Sequence, residues 1–84
     1  MNLYVLKIAY RCELWTLNRV YHHSDKPAIL YSKGMKVWYQ YGKCHRDDGP
    51  AIININGSRI WCLNNQQYSE IEYDAELIKR GVSK

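Results

Sequence analysis

The sequence predicts a mainly β protein of the α+β class, an antiparallel meander of about three hairpins over residues 1–68 capped by a C-terminal α-helix over residues 69–81. Three observations support this prediction: a period of 23 residues, strand-like segments around glycine turns, and helical spacing in the last 16 residues. A chain of 84 residues has the size of one domain, so residues 1–84 are expected to fold together.

The period is marked most clearly by tryptophan, because Trp15, Trp38 and Trp61 are each 23 residues apart. Other residues recur at the same offset: the apolar residue before each tryptophan (Leu14, Val37, Ile60), a turn glycine (Gly34, Gly57) and a His-Asp-Pro-Ala set (His22, Asp25, Pro27, Ala28; His45, Asp48, Pro50, Ala51). A fixed period of this length indicates a repeat architecture, in which each unit buries its apolar surface against the next.

Each repeat is expected to form a β-hairpin. The clearest example is the last unit, where a stretch rich in isoleucine leads into Asn56-Gly57, a strong hairpin turn signal. The six predicted strands are residues 3–9, 13–18, 28–32, 36–41, 51–56 and 58–63, with turns near Tyr10-Arg11, Lys33-Gly34 and Asn56-Gly57.

The last segment carries the end signals of a helix. Ser69 and Glu72 have the spacing of a capping box, in which each side chain accepts the other residue's backbone N–H. Acidic residues fill the early turns and basic residues the last turn, as the helix macrodipole favours, and Gly81 is a suitable C-cap. The expected core-facing stripe is Ile71, Ala75 and Ile78, with Leu77 beside it.

Charge and cysteine content narrow the class of protein. The net charge is +4, and residues 1–68 carry the positive charge while residues 69–84 are slightly acidic, which favours an acidic partner. Three cysteines with no CxxC pair are typical of free thiols in a reducing compartment. The chain shows no membrane-spanning stretch and no signal-peptide pattern, so we expect a cytoplasmic protein without membrane contact.

The His-Asp-Pro stretches lie between the predicted hairpins, where the chain must reverse. In the second stretch, Asp48 is expected to form an Asx turn, Gly49 to take a positive φ, and Pro50 to fix the entry into the next strand. His45 and Arg46 are expected to bond loop carbonyls or carboxylates. On this interpretation seven loop residues are structural: His22, Asp25, Pro27, His45, Asp48, Gly49 and Pro50.

A catalytic interpretation of the same stretch uses His45 with Asp48 as a general base and Cys44 as a nucleophile. Against it, Tyr21 stands in place of Cys44 in the earlier copy, and two carboxylates are too few for a nuclease metal site. A zinc site built from the cysteines and histidines lacks paired ligand spacing. We therefore expect no enzymatic activity, no bound metal and no cofactor.

The repeat resembles the MORN family, whose hairpin unit contains a strand aromatic, a glycine turn and a Gly-Lys-x-His step. Residues 42–45 (GKCH) match this step, and HRDDGPA at 45–51 resembles a MORN-like variant of the GKxHRxDGPA type, found in small bacteriophage and large-virus proteins. WCLN at 61–64 followed by an acidic helix is similar to the ending of those proteins. The resemblance covers residues 13–80, and the first copy departs from it at residues 23, 24 and 26.

Alternation along a strand places the three tryptophans on one face of the sheet and the apolar residues that precede them on the other. Either the helix or sheet curvature buries this tryptophan row as core, or the row is an exposed aromatic and basic surface that binds a partner. The candidate binding residues are Trp15, Trp38, Trp61, Tyr39, Tyr41, Lys36, Arg59, Lys43 and Arg46.

Two functions fit such a surface. The first is a non-enzymatic protein-binding module, favoured because no Lys/Arg cluster exceeds two residues. The viral resemblance implies for it a phage accessory protein that inhibits a host or antiphage-defence protein, such as a nuclease or toxin. The alternative is binding of RNA or another single-stranded nucleic acid through the basic, Tyr/Trp-rich sheet. Expected sheet edges at 3–9 and near 58–63 would also allow a homodimer.

Overall fold

A computed structural model describes residues 4–9 and 11–81. These residues form mainly antiparallel β-sheet with one C-terminal helix, which confirms the predicted fold class at that level. The strands are β1 (Val5–Ala9), β2 (Cys12–Leu17), β3 (Val20–Tyr21), β4 (Ile29–Tyr31), β5 (Lys36–Val37), β6 (Tyr39–Gln40), β7 (Lys43–Cys44), β8 (Ile52–Ile53), β9 (Arg59–Leu63) and β10 (Gln66–Tyr68), and the helix is α1 (Glu70–Lys79). The predicted strand residue Leu3 and the Tyr10 position of the first turn lie outside the described residues.

The strands follow one another across the main sheet in chain order. The order is β1-β2-β4-β5-β8-β9-β10, while β3 pairs with the second half of β2, and β6 and β7 form a separate two-stranded sheet. Strands β1 and β10 therefore lie at the two ends of this order. The predicted edge near residues 58–63 is wrong, because β9 pairs with β8 on one side and with β10 on the other.

The structure has more and shorter strands than the sequence predicts. The predicted strand 36–41 is interrupted at Trp38, which separates β5 from β6, and β3, β7 and β10 are additional. Each additional strand follows a two-residue turn in which both residues have positive φ: Asn18-Arg19, Tyr41-Gly42 and Asn64-Asn65. Such turns match the right-handed twist of tight hairpins. A hairpin therefore forms at three places where the sequence predicts a strand end and a loop.

The backbone repeats the same contact at the first two tryptophans. The N–H of Trp15 donates to the carbonyl of Ala28, and the N–H of Trp38 donates to the carbonyl of Ala51, both at 2.7 Å. Both alanines are completely buried. Ala28 and Ala51 lie where the chain packs beside the tryptophan after each loop, and no space remains there for a larger side chain.

One cross-strand row of apolar residues runs across the main sheet. Its members are Leu14, Ile29, Val37, Ile52 and Ile60, and each is the register partner of the next from β2 to β9. The two central members, Ile29 and Val37, are buried, and the others are half-buried. The three residues that precede the tryptophans therefore share this row, as alternation predicts.

The ends of α1 follow the sequence signals. Ser69 is the N-cap, its Oγ accepts the N–H of Glu72 at 3.2 Å, and Glu72 Oε1 accepts the N–H of Ser69 at 3.0 Å. This capping box lowers the pKa of the Glu72 carboxyl, through the Ser69 backbone first and its side chain second. Gly81 follows the C-cap with a positive φ of 74°, a conformation that glycine adopts without strain.

The predicted core face of α1 is wrong. Tyr73 and Leu77 are buried, whereas Ile71 is 84% exposed and Ile78 is 78% exposed. Tyr73 decides the orientation, because its ring joins a cluster with Leu63 and Leu77 while its hydroxyl donates to the carbonyl of Arg46. An aromatic ring with a satisfied hydroxyl buries more area than either isoleucine.

We expect alanine substitutions at the neighbouring helix positions Leu77 and Ile78 to differ strongly in their effect on the free energy of unfolding. Leu77→Ala should lower the free energy of unfolding by about 2–5 kcal/mol, because it opens a cavity between α1 and the sheet. Ile78→Ala should change it by no more than about 0.5 kcal/mol, because the side chain is exposed. Urea unfolding followed by circular dichroism measures both values, and a larger loss in Ile78→Ala would contradict the observed orientation of α1.

Candidate functional site

Each tryptophan is covered by a different part of the chain. Trp38 is 8% exposed and lies beneath the Arg46 guanidinium, whose Cζ is 3.8 Å from the ring centroid. Trp15 is half-buried, with the Lys26 Nζ 5.5 Å from its ring. Trp61 is half-buried and packs against the cluster between α1 and the sheet. The structure therefore places Trp38 in the core and leaves no continuous exposed tryptophan row.

Arg46 is bound from several sides within the second connecting loop. Its Nε donates to Asp48 Oδ1 at 2.9 Å and its Nη1 donates to the carbonyl of Pro50 at 3.0 Å. Its own carbonyl accepts the hydroxyl of Tyr73. The guanidinium is thus a cover for Trp38 that is held by its own loop, rather than a cation available to a partner.

Gly49 is required for a different reason from the predicted one. It is not among the residues with positive φ. A Cβ at this position would lie 3.1 Å from Cζ of Arg46, so a side chain here would press on the stacked guanidinium. In the first loop the equivalent residue is Lys26, and the equivalent of Arg46 is His23, whose ring is 4.9 Å from that of Trp15.

The two repeat histidines each cap the turn of the following hairpin. His22 Nδ1 accepts the N–H of Tyr41 at 2.8 Å, and His45 Nδ1 accepts the N–H of Asn64 at 3.0 Å. Because Nδ1 accepts in both rings, the neutral form carries its proton on Nε2. In the second loop, His45 Nε2 is 2.6 Å from Asp47 Oδ1. Each imidazole therefore links one repeat to the next.

The catalytic arrangement considered for the second loop is not assembled. Asp48 pairs with Arg46 and not with His45. Burial first, and a hydrogen bond with Cys62 second, raise the pKa of Cys44 to about 12, so its thiol is protonated near neutral pH and is a poor nucleophile. Among residues 4–9 and 11–81, no three His, Cys, Asp or Glu side chains converge in a geometry that would hold a metal ion.

The predicted cations lie in separate places. Lys36 and Arg59 are both exposed and are both register partners of Ile53, so they are about 10 Å apart across two strand spacings. Lys43 is exposed in the separate β6–β7 hairpin. The structure brings Lys36 and Arg59 together but does not join them to Lys43 or to the stacked Arg46.

The two predicted tyrosines have different environments. Tyr41 occupies a tight turn and is 68% exposed, and its ring lies 4.2 Å from that of His22. Tyr39 is half-buried, with its ring 5.6 Å from that of Tyr21. Burial, more than any neighbouring group, raises the pKa of the Tyr39 hydroxyl. Tyr41 is therefore accessible to a partner, while Tyr39 mainly supports Tyr21.

A surface that the sequence interpretation missed lies on the first hairpin. A groove between β1, β2 and the β2–β3 turn is lined mainly by Val5, Lys7, Leu14, Arg19, Val20 and Tyr21, and we call it the N-terminal groove. Val5, Val20 and Tyr21 are all exposed, and the lining contains two cations and no carboxylate. The available signal was the sequence VLKIA in β1, which is apolar on both strand faces, a pattern typical of a strand covered on both sides.

Comparison with protein-family models, with curated proteins and with solved structures finds no match to this chain. The helix of the described residues is too short and too polar to cross a membrane.

Arg46→Ala tests the cover over Trp38. We expect it to lower the free energy of unfolding by roughly 2 kcal/mol, because it removes a cation stacked on a buried ring and two hydrogen bonds of a charged group. Arg59→Ala removes an exposed arginine and should cost about 0.5 kcal/mol or less. Urea unfolding compares the two, and equal losses would show that the stack does not stabilise the loop.

The His22 cap predicts a loss of stability in acid. Burial first, and the neighbouring His23 second, lower the pKa of His22 below its ordinary value of 6.5. The unfolded chain then binds the proton at a higher pH than the folded chain, so the free energy of unfolding falls as the pH drops from about 6.5 through the lowered pKa. Above that window the stabilisation is fully present.

His22→Asn retains a side-chain acceptor for the N–H of Tyr41 but removes the titrating group. Between pH values of about 7.5 and 5, the variant should lose less stability than the wild type. Some dependence should remain, because burial also lowers the pKa of His23, against the opposing effect of Asp25. Urea unfolding at several pH values provides the comparison, and identical curves would refute a role for His22.

Proposed function

We propose that this protein is a non-enzymatic, MORN-like repeat protein that binds another protein through the N-terminal groove. The observation that carries the proposal is the concentration of exposed apolar side chains around this groove, where Lys7 and Arg19 supply charge. Contiguous exposed apolar surface of this kind is typical of protein contact sites. The matching partner surface is an apolar segment that carries acidic residues.

The repeat assignment draws support from backbone contacts that recur at an offset of 23 residues. They include the two Trp-to-Ala bonds, the two histidine caps and the three turns with positive φ. Together with the GKCH and HRDDGPA residues, these contacts favour the MORN-like variant that the sequence resembles. The resemblance in turn favours a cytoplasmic bacteriophage accessory protein that binds and inhibits a host or antiphage-defence protein, such as a nuclease or toxin.

A protein partner is favoured over a nucleic acid because the tryptophans are covered. Sequence-tolerant binding of single strands depends on accessible aromatic faces beside a continuous cationic track. Trp38 instead stacks on Arg46, and Lys43 lies in a different hairpin from Lys36 and Arg59. The four predicted cations, Lys36, Lys43, Arg46 and Arg59, therefore do not line a single aromatic groove.

The experiment is a pull-down from host lysate, treated with nuclease, with matched tyrosine variants as bait. Tyr21 lies in the groove and is 39% exposed, while Tyr31 lies outside it on β4 and is 38% exposed. Tyrosine side chains at protein contacts often contribute 2 kcal/mol or more, so Tyr21→Ala should weaken binding by about 30-fold, and Tyr31→Ala should leave it unchanged. Titration calorimetry with the purified partner measures both.

Three results would contradict the proposal. One is a partner that binds the Tyr21→Ala and Tyr31→Ala variants equally. Another is capture that disappears completely with nuclease, which would instead support RNA binding. The third is affinity that falls with salt more steeply than the two groove cations, Lys7 and Arg19, can account for, because such a slope indicates release of counterions from several phosphates. Circular dichroism of both variants confirms that the fold is intact.

A further inference from the structure

The two ends of the main sheet have opposite character. Strand β10 is short, consists of Gln66, Gln67 and Tyr68, and leads at once into α1. Strand β1 has five residues, of which Leu6 is 44% exposed and Ile8 is 73% exposed. Natural sheets protect their edges with short strands, charges or covering elements. Within the described residues, the β10 end is short and leads into a helix, whereas β1 is longer and carries one charge, Lys7.

The backbone of β1 also presents groups on its outer side that have no backbone partner in residues 4–9 and 11–81. Leu6 is the register partner of Trp15. The N–H of Trp15 donates to Ala28 and its carbonyl accepts the N–H of His22, and both of these bonds lie on the side of β2 away from β1. Leu6 therefore belongs to a non-hydrogen-bonded pair, and its own N–H and carbonyl point outward. Ile8, two residues further along, has the same orientation.

We propose that the outer side of β1 is a dimerisation edge, where β1 of a second copy pairs antiparallel with Leu6 opposite the same residue of its partner. In this register Val5 lies opposite Lys7 of the other copy, and Ile8 lies opposite Tyr4. The outward backbone groups of Leu6 and Ile8 then form the ladder between copies. A pairing of identical surfaces closes at two copies.

Charge selects this register over its neighbour. Centring the pair on Lys7 would use the same outward backbone groups, but it would place Lys7 directly opposite Lys7 in the closer, non-hydrogen-bonded type of pair. Like charges at that position are destabilising. In the register centred on Leu6, the aliphatic part of Lys7 lies beside Val5, and its ammonium remains in water.

The first experiment measures mass in solution by sedimentation. The wild type should form a dimer that dissociates on dilution, and Ile8→Lys should shift the protein to a monomer because it adds a charge at the edge. Ile55→Lys is the matched control, since Ile55 is 65% exposed in the loop between β8 and β9, and it should leave the dimer unchanged. A monomeric wild type, assemblies larger than a dimer, or a dimer that persists in a folded Ile8→Lys variant overturns the proposal.

The second experiment tests the register by oxidative cross-linking. Leu6→Cys places two Cα atoms about 5.5 Å apart across the two-fold axis, within the range of a disulfide. Lys7→Cys should cross-link much less in the same register. The wild type, with its native cysteines, gives the background. Efficient cross-linking of Lys7→Cys with none for Leu6→Cys overturns the register, and no cross-linking of either overturns the edge pairing.

Discussion

The fold depends on covering each tryptophan with a segment that follows it in the chain. The large aromatic rings along the main sheet need another layer over them to exclude water. Two connecting loops and one helix supply that layer: Arg46 lies over Trp38, Lys26 approaches Trp15, and α1 packs against Trp61. The tryptophan period thus reflects a repeated packing requirement, and the terminal helix takes the place of a third loop.

The two loops meet this requirement with different residues. In the second loop, the guanidinium of Arg46 occupies the space that a side chain at Gly49 would need. In the first loop, His23 replaces the arginine, its Nδ1 accepts the backbone N–H groups of Asp25 and Lys26, and the Lys26 amine provides the cation near the ring. The first loop therefore covers its tryptophan with a different pair of residues, His23 and Lys26, at the positions that Arg46 and Gly49 occupy in the second loop.

Local signals predicted the parts of the fold that depend on neighbouring residues. The Asn56-Gly57 turn and the capping box of Ser69 could be predicted because each depends on only a few adjacent residues. The β6–β7 hairpin was missed because Tyr41, an uncommon residue at positive φ, occupies its turn. The helix face was misassigned because the Tyr73 hydroxyl donates to the carbonyl of Arg46, 27 residues away. The spacing of aliphatic residues along the helix does not reveal such a contact. The N-terminal groove was missed for a similar reason, since it exists only after β3 folds back beside β2.

Strand β1 contributes to both the N-terminal groove and the proposed dimerisation edge, because successive residues along a strand alternate in orientation. Val5 and Lys7 line the N-terminal groove, while the outward backbone groups of Leu6 and Ile8 form the free edge. Antiparallel partners keep their faces aligned, so pairing two copies at this edge would place both grooves on the same face of one continuous sheet. A partner with two acidic, apolar segments would then bind with a higher effective concentration than either groove provides alone. The less protected end of the sheet would in that case be the end that assembles the binding surface.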